Sequence, residues 1–367
     1  MMMMMMQSRI LAKNKYRAIL RPLELIEKLK QLYLAGSIVV MPDFFVDRII
    51  RLESKEKLFA AIDEKAKAGG GSVRGFPTSD INGGNAVNVA YALARLGARV
   101  TLFTVADDVG SAMLRQAFSQ FGDRVTLKIA TGRQGSTTAF EFPDGESRAN
   151  VMVSDIGDNE CFGPDRLGSQ KDIEILKKAD AVMVVNWASN MKGTELASHA
   201  FKSSPSALHF IDPADISTRA HEFRDALFRL AGMTDCLSIN ENECDLLAGA
   251  LGLDTLLGSS YGADQVKSAA RKISESVGIT TDLHTRAGSA WSNGKDVEFA
   301  HTIKVEPKIL TGAGDVWDAA DIVGYIAGLD PKERLLFANA ASSLFIRETS
   351  GEPPVMNKVF ELIERIR

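Results

Sequence analysis

From residue 181 onward, short apolar runs alternate with stretches whose apolar positions recur every three or four residues. The runs at 181–185, 207–211, 236–239 and 279–283 read as buried strands, and the stretches between them as helices. Upstream, Ser37-Ile38-Val39-Val40-Met41 is another fully apolar strand, Phe45 to Leu52 a second extended run, and Val100 to Val105 a third. Helical spacing appears at 22–33, where Leu23, Ile26, Leu29 and Leu32 share a face behind Pro22. It returns at 55–67, where Ser54 is placed to cap and Leu58, Phe59 and Ile62 share a face. Further helices are read at 84–96 and 112–121. Gly69-Gly70-Gly71 stops the helix at 55–67 and reads as a hairpin turn. Thr137–Phe142 and Ala149–Val153 flank Pro143-Asp144-Gly145, a hairpin signal. Apolar strands alternating with helices predict an α/β fold with a mostly parallel sheet covered on both faces. The pieces near 43–52, 72–76, 137–142 and 149–153 form a small β subdomain beside that body. The N-terminal extension, residues 1–35, stands apart from a main domain over 36–367.

Bulk properties narrow the function classes. The 367 residues are 45% hydrophobic with a net charge of −4, and no basic stripe with interleaved aromatics appears, so nucleic acid is a poor partner. Cys161, Cys236 and Cys244 form no CxxC pair, and the five histidines are scattered, so neither a disulfide framework nor a zinc site is expected. No apolar run reaches membrane-spanning length, and the simplest location is the cytoplasm. The opening run Met1–Met6 lacks the order of a signal peptide and carries no structural weight.

Chemistry concentrates in Thr311-Gly312-Ala313-Gly314-Asp315, ahead of a long helical pattern. Two glycines around an alanine permit a tight turn and close approach of a ligand. The free N–H groups of the following helix make an anion site, and Asp315 sits in its first turn. A phosphate cradle beside a carboxylate suits phosphoryl transfer to a hydroxyl. A plain glycine turn with a first-turn acid fits this stretch equally well. A second signal is Asn82-Gly83-Gly84-Asn85-Ala86-Val87-Asn88, a glycine pair opening a helix, with Asn88 able to bond hydroxyls. A capped helix start is its alternative reading. No GxxxxGK[ST] loop exists, since Gly294-Lys295 is followed by Asp296. Gly258-Ser259-Ser260-Tyr261-Gly262 spells GxSxG but follows no clear strand, and reads as a loop.

Together, Gly83-Gly84-x3-Asn88 and Gly312-Ala313-Gly314-Asp315 resemble the two signatures of the ribokinase-like (phosphofructokinase B group) carbohydrate kinase superfamily. Asp43-x3-Asp47 after the first strand, Asp212-Pro213, and Asn240-x-x-Glu243 fit the same pattern. The resemblance implies a ribokinase-like fold: a central mostly parallel sheet flanked by helices, with a β lid from segments near 43–82 and 137–153. It implies a kinase that moves the terminal phosphoryl of a Mg²⁺-nucleotide to a sugar hydroxyl. The donor would be ATP, with ADP or another nucleotide as alternatives. Asp315 would be the general base, and Gly312, Ala313 and Gly314 would complete the anion hole with it. Asp43, Asp47, Gly83, Gly84 and Asn88 would hold the substrate. Asn240 and Glu243 would organise Mg²⁺, their alternative being a helix cap with a first-turn acid. Thr311, Asn240, Gly288 (the one aligned glycine of the family's Thr-x-Gly-x-x-Gly run) and Asn339 would face the nucleotide. The acids Asp318 and Asp321, extra to the family pattern, are expected to face solvent or pair locally, and Arg286 to be exposed. Two rival readings are a nucleoside kinase on the same fold and a non-catalytic sugar- or nucleoside-binding protein. The resemblance is compatible with a homodimer through the lid.

Overall fold

The computed structural model describes Leu29 and residues 36–144, 147–309 and 311–365. In chain order the elements are β1 (Ser37–Met41), β2 (Phe45–Arg51), α1 (Lys55–Lys67), β3 (Thr78–Gly83), α2 (Asn85–Leu96), β4 (Arg99–Ala106), α3 (Asp108–Phe118), β5 (Val125–Thr131), β6 (Gly135–Asp144) and β7 (Ser147–Asp155). There follow α4 (Gln170–Lys178), β8 (Ala181–Val184), α5 (Gly193–Ser203), β9 (Leu208–Ile211), α6 (Ala220–Leu230), β10 (Cys236–Asn240), α7 (Glu241–Ala250), α8 (Ala263–Val277) and β11 (Thr280–Thr285). The chain closes with β12 (Gly288–Ser292), β13 (Val297–His301), α9 (Ala313–Ile326), α10 (Pro331–Ile346) and α11 (Met356–Arg365). The extension over 1–35 and its helix at 22–33 lie outside the described residues, except Leu29, which is helical and buried.

Nine strands form one sheet in the order β13-β12-β11-β10-β9-β8-β1-β4-β5. The run from β11 to β5 is parallel, and β12 and β13 add an antiparallel edge. Sequence pattern explains the burial. In β1 every second side chain goes to a different layer: Ile38 and Val40 join the core with α2, α9, α10 and α11, while Val39 and Met41 join the core with α4 to α8. Apart from the helix at 22–33, outside the described residues, and the extended piece at 72–76, the expected strands and helices are found within a few residues. The helix read at 112–121 begins earlier, because Asp107 caps it by accepting from Gly110 N (2.8 Å).

The second sheet has the order β3-β2-β6-β7, with β2 and β6 parallel and the outer pairs antiparallel. The extended piece read at 72–76 is irregular; the strand falls at Thr78–Gly83 instead. Its ladder is anchored where Gly83 faces Phe45, and it ends at Ile50 opposite Thr78, just after Pro77. Helix α1 forms as read, with Ser54 Oγ accepting from Lys57 N at 3.2 Å. It buries no residue, and Phe59 and Ile62 stand exposed. Gly69 and Gly70 end this helix through N–H bonds to Ala66 O and Lys65 O, so the glycine run is a helix stop and not a hairpin turn. Among the described residues no helix is long and apolar enough to cross a membrane.

Candidate active site

Gly312 opens α9 from the left-handed region, at φ 86°, a conformation glycine adopts without strain. No side chain caps this helix, so the first-turn N–H groups face the turn without a side-chain acceptor. Asp315, in that turn, is buried. Its two oxygens accept from Asn85 Nδ2 (2.9 Å) and Asn88 Nδ2 (2.8 Å), both on α2. Burial pushes its pKa up to about 8, against the lowering effect of the Asn88 bond and with help from the charges of Asp212 and Asp43.

Helix α2 begins at Gly84, whose φ is 96°. The Asp43 carboxylate caps it from outside, accepting from Asn85 N (2.8 Å) and Ala86 N (2.9 Å), while Asn186 Nδ2 donates to Oδ2 (2.9 Å). Burial raises Asp43 to about 6 despite these bonds. The glycine pair serves this packing. A Cβ on Gly84 would lie 2.9 Å from Asp43 Oδ2, and one on Gly83 would lie 1.9 Å from Asp47 Oδ2. Asp47 shares its sheet face with Ile81, Thr137 and Ser154 across the ladder. Burial holds its pKa above the ordinary carboxylate value, opposed by a Thr137 bond. Asp43, Asp47, Gly83, Gly84, Asn88 and Asp315 therefore meet at one place, where the small sheet joins the large one.

Asn240 and Glu243 form a capping box at the start of α7. Asn240 Oδ1 accepts from Asn242 N (2.9 Å) and Glu243 N (3.0 Å), and Glu243 accepts from Asn240 N (2.9 Å) and Nδ2 (2.6 Å). Burial and then repulsion from Asp212 drive the Glu243 pKa well above the usual carboxylate range. Asp212 follows β9, and its Oδ1 accepts from Ala214 N (2.7 Å).

Of the two alternatives for Asp318 and Asp321, facing solvent or pairing, the structure excludes the first: both are fully buried. Their helix is apolar on nearly all sides, so residues spaced by three turn inward with Asp315. Ser238 Oγ donates to Asp318 Oδ1 (2.6 Å), while Oδ2 has no partner among the described residues. Asp321 pairs with Arg334, whose guanidinium also forms two 2.9 Å bonds to Asp282 and lies 3.6 Å from the centre of the Tyr325 ring.

Of the residues expected to face a nucleotide, Thr311 is exposed beside the turn. Gly288 is needed by packing, since a Cβ there would lie 2.4 Å from Phe299 Cζ and 2.5 Å from Ala300 O. Asn339, expected to face the nucleotide, is buried with its amide engaged inside the protein. Its Oδ1 accepts from Ser289 Oγ (2.9 Å) and Trp317 Nε1 (2.8 Å), and its Nδ2 donates to Ala300 O (3.1 Å) and His301 O (3.2 Å). Every polar valence of that amide is used inside the protein. Arg286 is exposed as expected, paired to Glu241 at 3.1 Å. Sequence reasoning did not single out Asn85, Asn186 or Asp318 for the site. Asn85 lay inside the quoted glycine motif. Among the described residues Asn186 is the one non-glycine residue besides Ala214 with positive φ, which no periodicity reveals.

The fold and this convergence of a bare helix N-terminus, a buried carboxylate and an acidic cluster fit a phosphotransferase. The chain belongs to the pfkB family of carbohydrate kinases, whose model matches residues 47–357. The ribokinase of Bacillus subtilis (strain 168) is 26% identical over 310 residues, 83% of this chain and 95% of that protein. A nucleoside kinase of Methanothermobacter thermautotrophicus is 26% identical over 291 residues, 78% of this chain and 84% of that protein. Among solved structures, Arabidopsis thaliana ribokinase complexed with ribose and ATP is similar at a TM-score of 0.69 and 21% identity. That likeness covers 90% of this chain and 99% of that one. These similarities support a ribokinase-like fold and a sugar or nucleoside kinase of this family.

Proposed function

We propose that this kinase transfers the terminal phosphoryl of ATP, as its Mg²⁺ complex, to a hydroxyl of a sugar. Asp315 carries the reading. It is the buried carboxylate at the mouth of an uncapped helix, fixed by two amide donors and tuned toward neutrality. Such a group is suited to accept the proton of an attacking hydroxyl. The N–H groups of Gly312, Ala313, Gly314 and Asp315 hold the charge on the moving phosphoryl, and one such donor is worth about 3–4 kcal/mol in comparable sites. Asn85 and Asn88 keep the Asp315 carboxylate aimed. Asp43 and Asp47, with the Gly83–Gly84 backbone, orient the acceptor, and Asn88 reaches it from α2. Thr311 and Gly288 border the nucleotide.

Magnesium fits the donor set. Asp212, Glu243 and Asp318 crowd together with no lysine or arginine paired to any of them among the described residues, and Asp318 keeps an unpartnered oxygen. Asn240 and Glu243 would hold the ion through its waters, with Asp212 alongside. When bound, it neutralises charge on the phosphates. The small sheet, as a lid over the acceptor, keeps water from the phosphoryl group.

The second reading, a nucleoside acceptor, rests on the Methanothermobacter relative, as similar at 26% as the ribokinase. A panel of sugars, polyols and nucleosides with Mg-ATP, scored for ADP release, tests both. Release with a free sugar supports the first reading and release with nucleosides alone the second. No substrate-dependent ADP across the panel overturns the enzymatic reading in favour of a binding protein.

A further inference from the structure

We propose that the imidazole of His284 binds a phosphate oxygen of the phosphoryl donor beside the Gly312–Asp315 turn. The inference rests on the donor site proposed above and adds a residue to it. His284 lies on β11 opposite Asn240 of β10, at the carboxyl ends of parallel strands, where open α/β sheets receive ligands. Its ring stacks on Trp317 of α9, with centroids 4.9 Å apart and planes 29° apart. Its Cε1 is 3.4 Å from where a Cβ on Gly314 would stand, so the ring edges the backbone that forms the anion hole.

The ring is held in place but not hydrogen-bonded. Among the described residues neither nitrogen of His284 has a hydrogen-bond partner, and the residue is only partly buried. The contrast is His209, whose Nδ1 meets Met233 O at 2.7 Å and whose Nε2 meets Ser204 Oγ at 3.1 Å. A histidine fixed by stacking, with unused nitrogens at the rim of an anion site, is a ligand donor in waiting. Burial pulls its pKa below the ordinary histidine value, although Asp212, Glu241 and Asp282 oppose this. The neutral ring then carries one N–H donor and one acceptor. The donor can meet a phosphate oxygen without adding a charge that competes with the metal.

Calorimetric titration with ADP and with AMP tests this on the full chain. His284→Phe keeps the stack on Trp317 and removes both nitrogens; His284→Gln keeps a donor. ADP affinity is expected to fall about tenfold in His284→Phe, the scale of one hydrogen bond to a charged group. It should return to within about threefold of wild type in His284→Gln, and AMP affinity should change less than twofold in either. Unchanged ADP affinity in His284→Phe overturns the inference, as does an equal loss for ADP and AMP, which would mean that the ring only shapes the pocket. Should His284→Phe fail to fold, proton–nitrogen spectra of wild-type histidines decide. A ring resonance absent from His284→Gln must shift with ADP, and no shift overturns the proposal. A wild-type protein that binds no nucleotide overturns the donor site itself.

Discussion

Replacing Asp315 by Asn should sharply lower turnover and stabilise the protein, and the two effects have one cause. In the folded protein the carboxyl titrates at about 8, against 3.8 when unperturbed. The folded state therefore binds this proton more tightly than the unfolded chain. Its stabilising contribution is complete below pH 3.8 and is lost progressively as pH rises to about 8. Each factor of ten in proton affinity is worth about 1.4 kcal/mol. The deficit is then roughly 4 kcal/mol at pH 7 and levels off at about 6 kcal/mol above pH 8. Asp315→Asn removes it. The introduced amide can accept from only one of Asn85 and Asn88 and sets two donors face to face at the other, which costs about 1–3 kcal/mol. The deficit at pH 8 is about 5 kcal/mol, so the net gain there is about 2–4 kcal/mol, or several degrees in melting temperature for a chain of this size. Thermal melts of both proteins from pH 5 to 9 measure it. The advantage of the variant should grow with pH and level off above about 8. An advantage that shrinks with rising pH, or a variant that melts below wild type at pH 8, refutes the reasoning. Turnover should fall by at least ~10²-fold with the fold intact. In wild type, kcat/KM should rise with pH toward about 8, because the deprotonated form is the base.

Three further outcomes are expected. Arg334→Met strands Asp282 and Asp321 as buried charges without a cation, so urea unfolding should show a loss of about 3–5 kcal/mol. Gly83→Ala places a methyl 1.9 Å from Asp47 Oδ2, which must move the carboxylate. The acceptor KM should rise about tenfold or more, with the nucleotide KM unchanged, in initial-rate kinetics. Glu243→Gln keeps the cap acceptor but removes the carboxylate, so the Mg²⁺ concentration for half-maximal rate should rise about tenfold in a metal titration at fixed ATP. An unchanged requirement would remove Glu243 from the metal site.

What the sequence disclosed follows from the range of the interactions. The run Ser37–Met41 shows a doubly covered strand because both faces of β1 are apolar, and Gly312-Ala313-Gly314-Asp315 shows its turn because the signal is local. The partners of Asp315 lie 227 and 230 residues away on α2, and Asn186 meets Asp43 across 143 residues. No periodicity carries such pairings; they arise when β1 places Asp43 beside the start of α2. One signal was available and unused. Acids at 315, 318 and 321 repeat every three residues in a helix otherwise apolar, so they share a face that must be internal. Their partners are graded along that face. Asp321 has the guanidinium of Arg334, Asp318 the hydroxyl of Ser238, and Asp315 two neutral amides. An internal cation is thus supplied at the far end of α9 and withheld toward its N-terminus. A stability-driven core would compensate all three acids alike, since an unpaired buried charge is costly. Asp282 and Asp321 share one guanidinium, while Asp318 and Asp315, nearer the N-terminus of α9, meet only neutral donors, the gradient expected where a cation-bearing ligand approaches from that end.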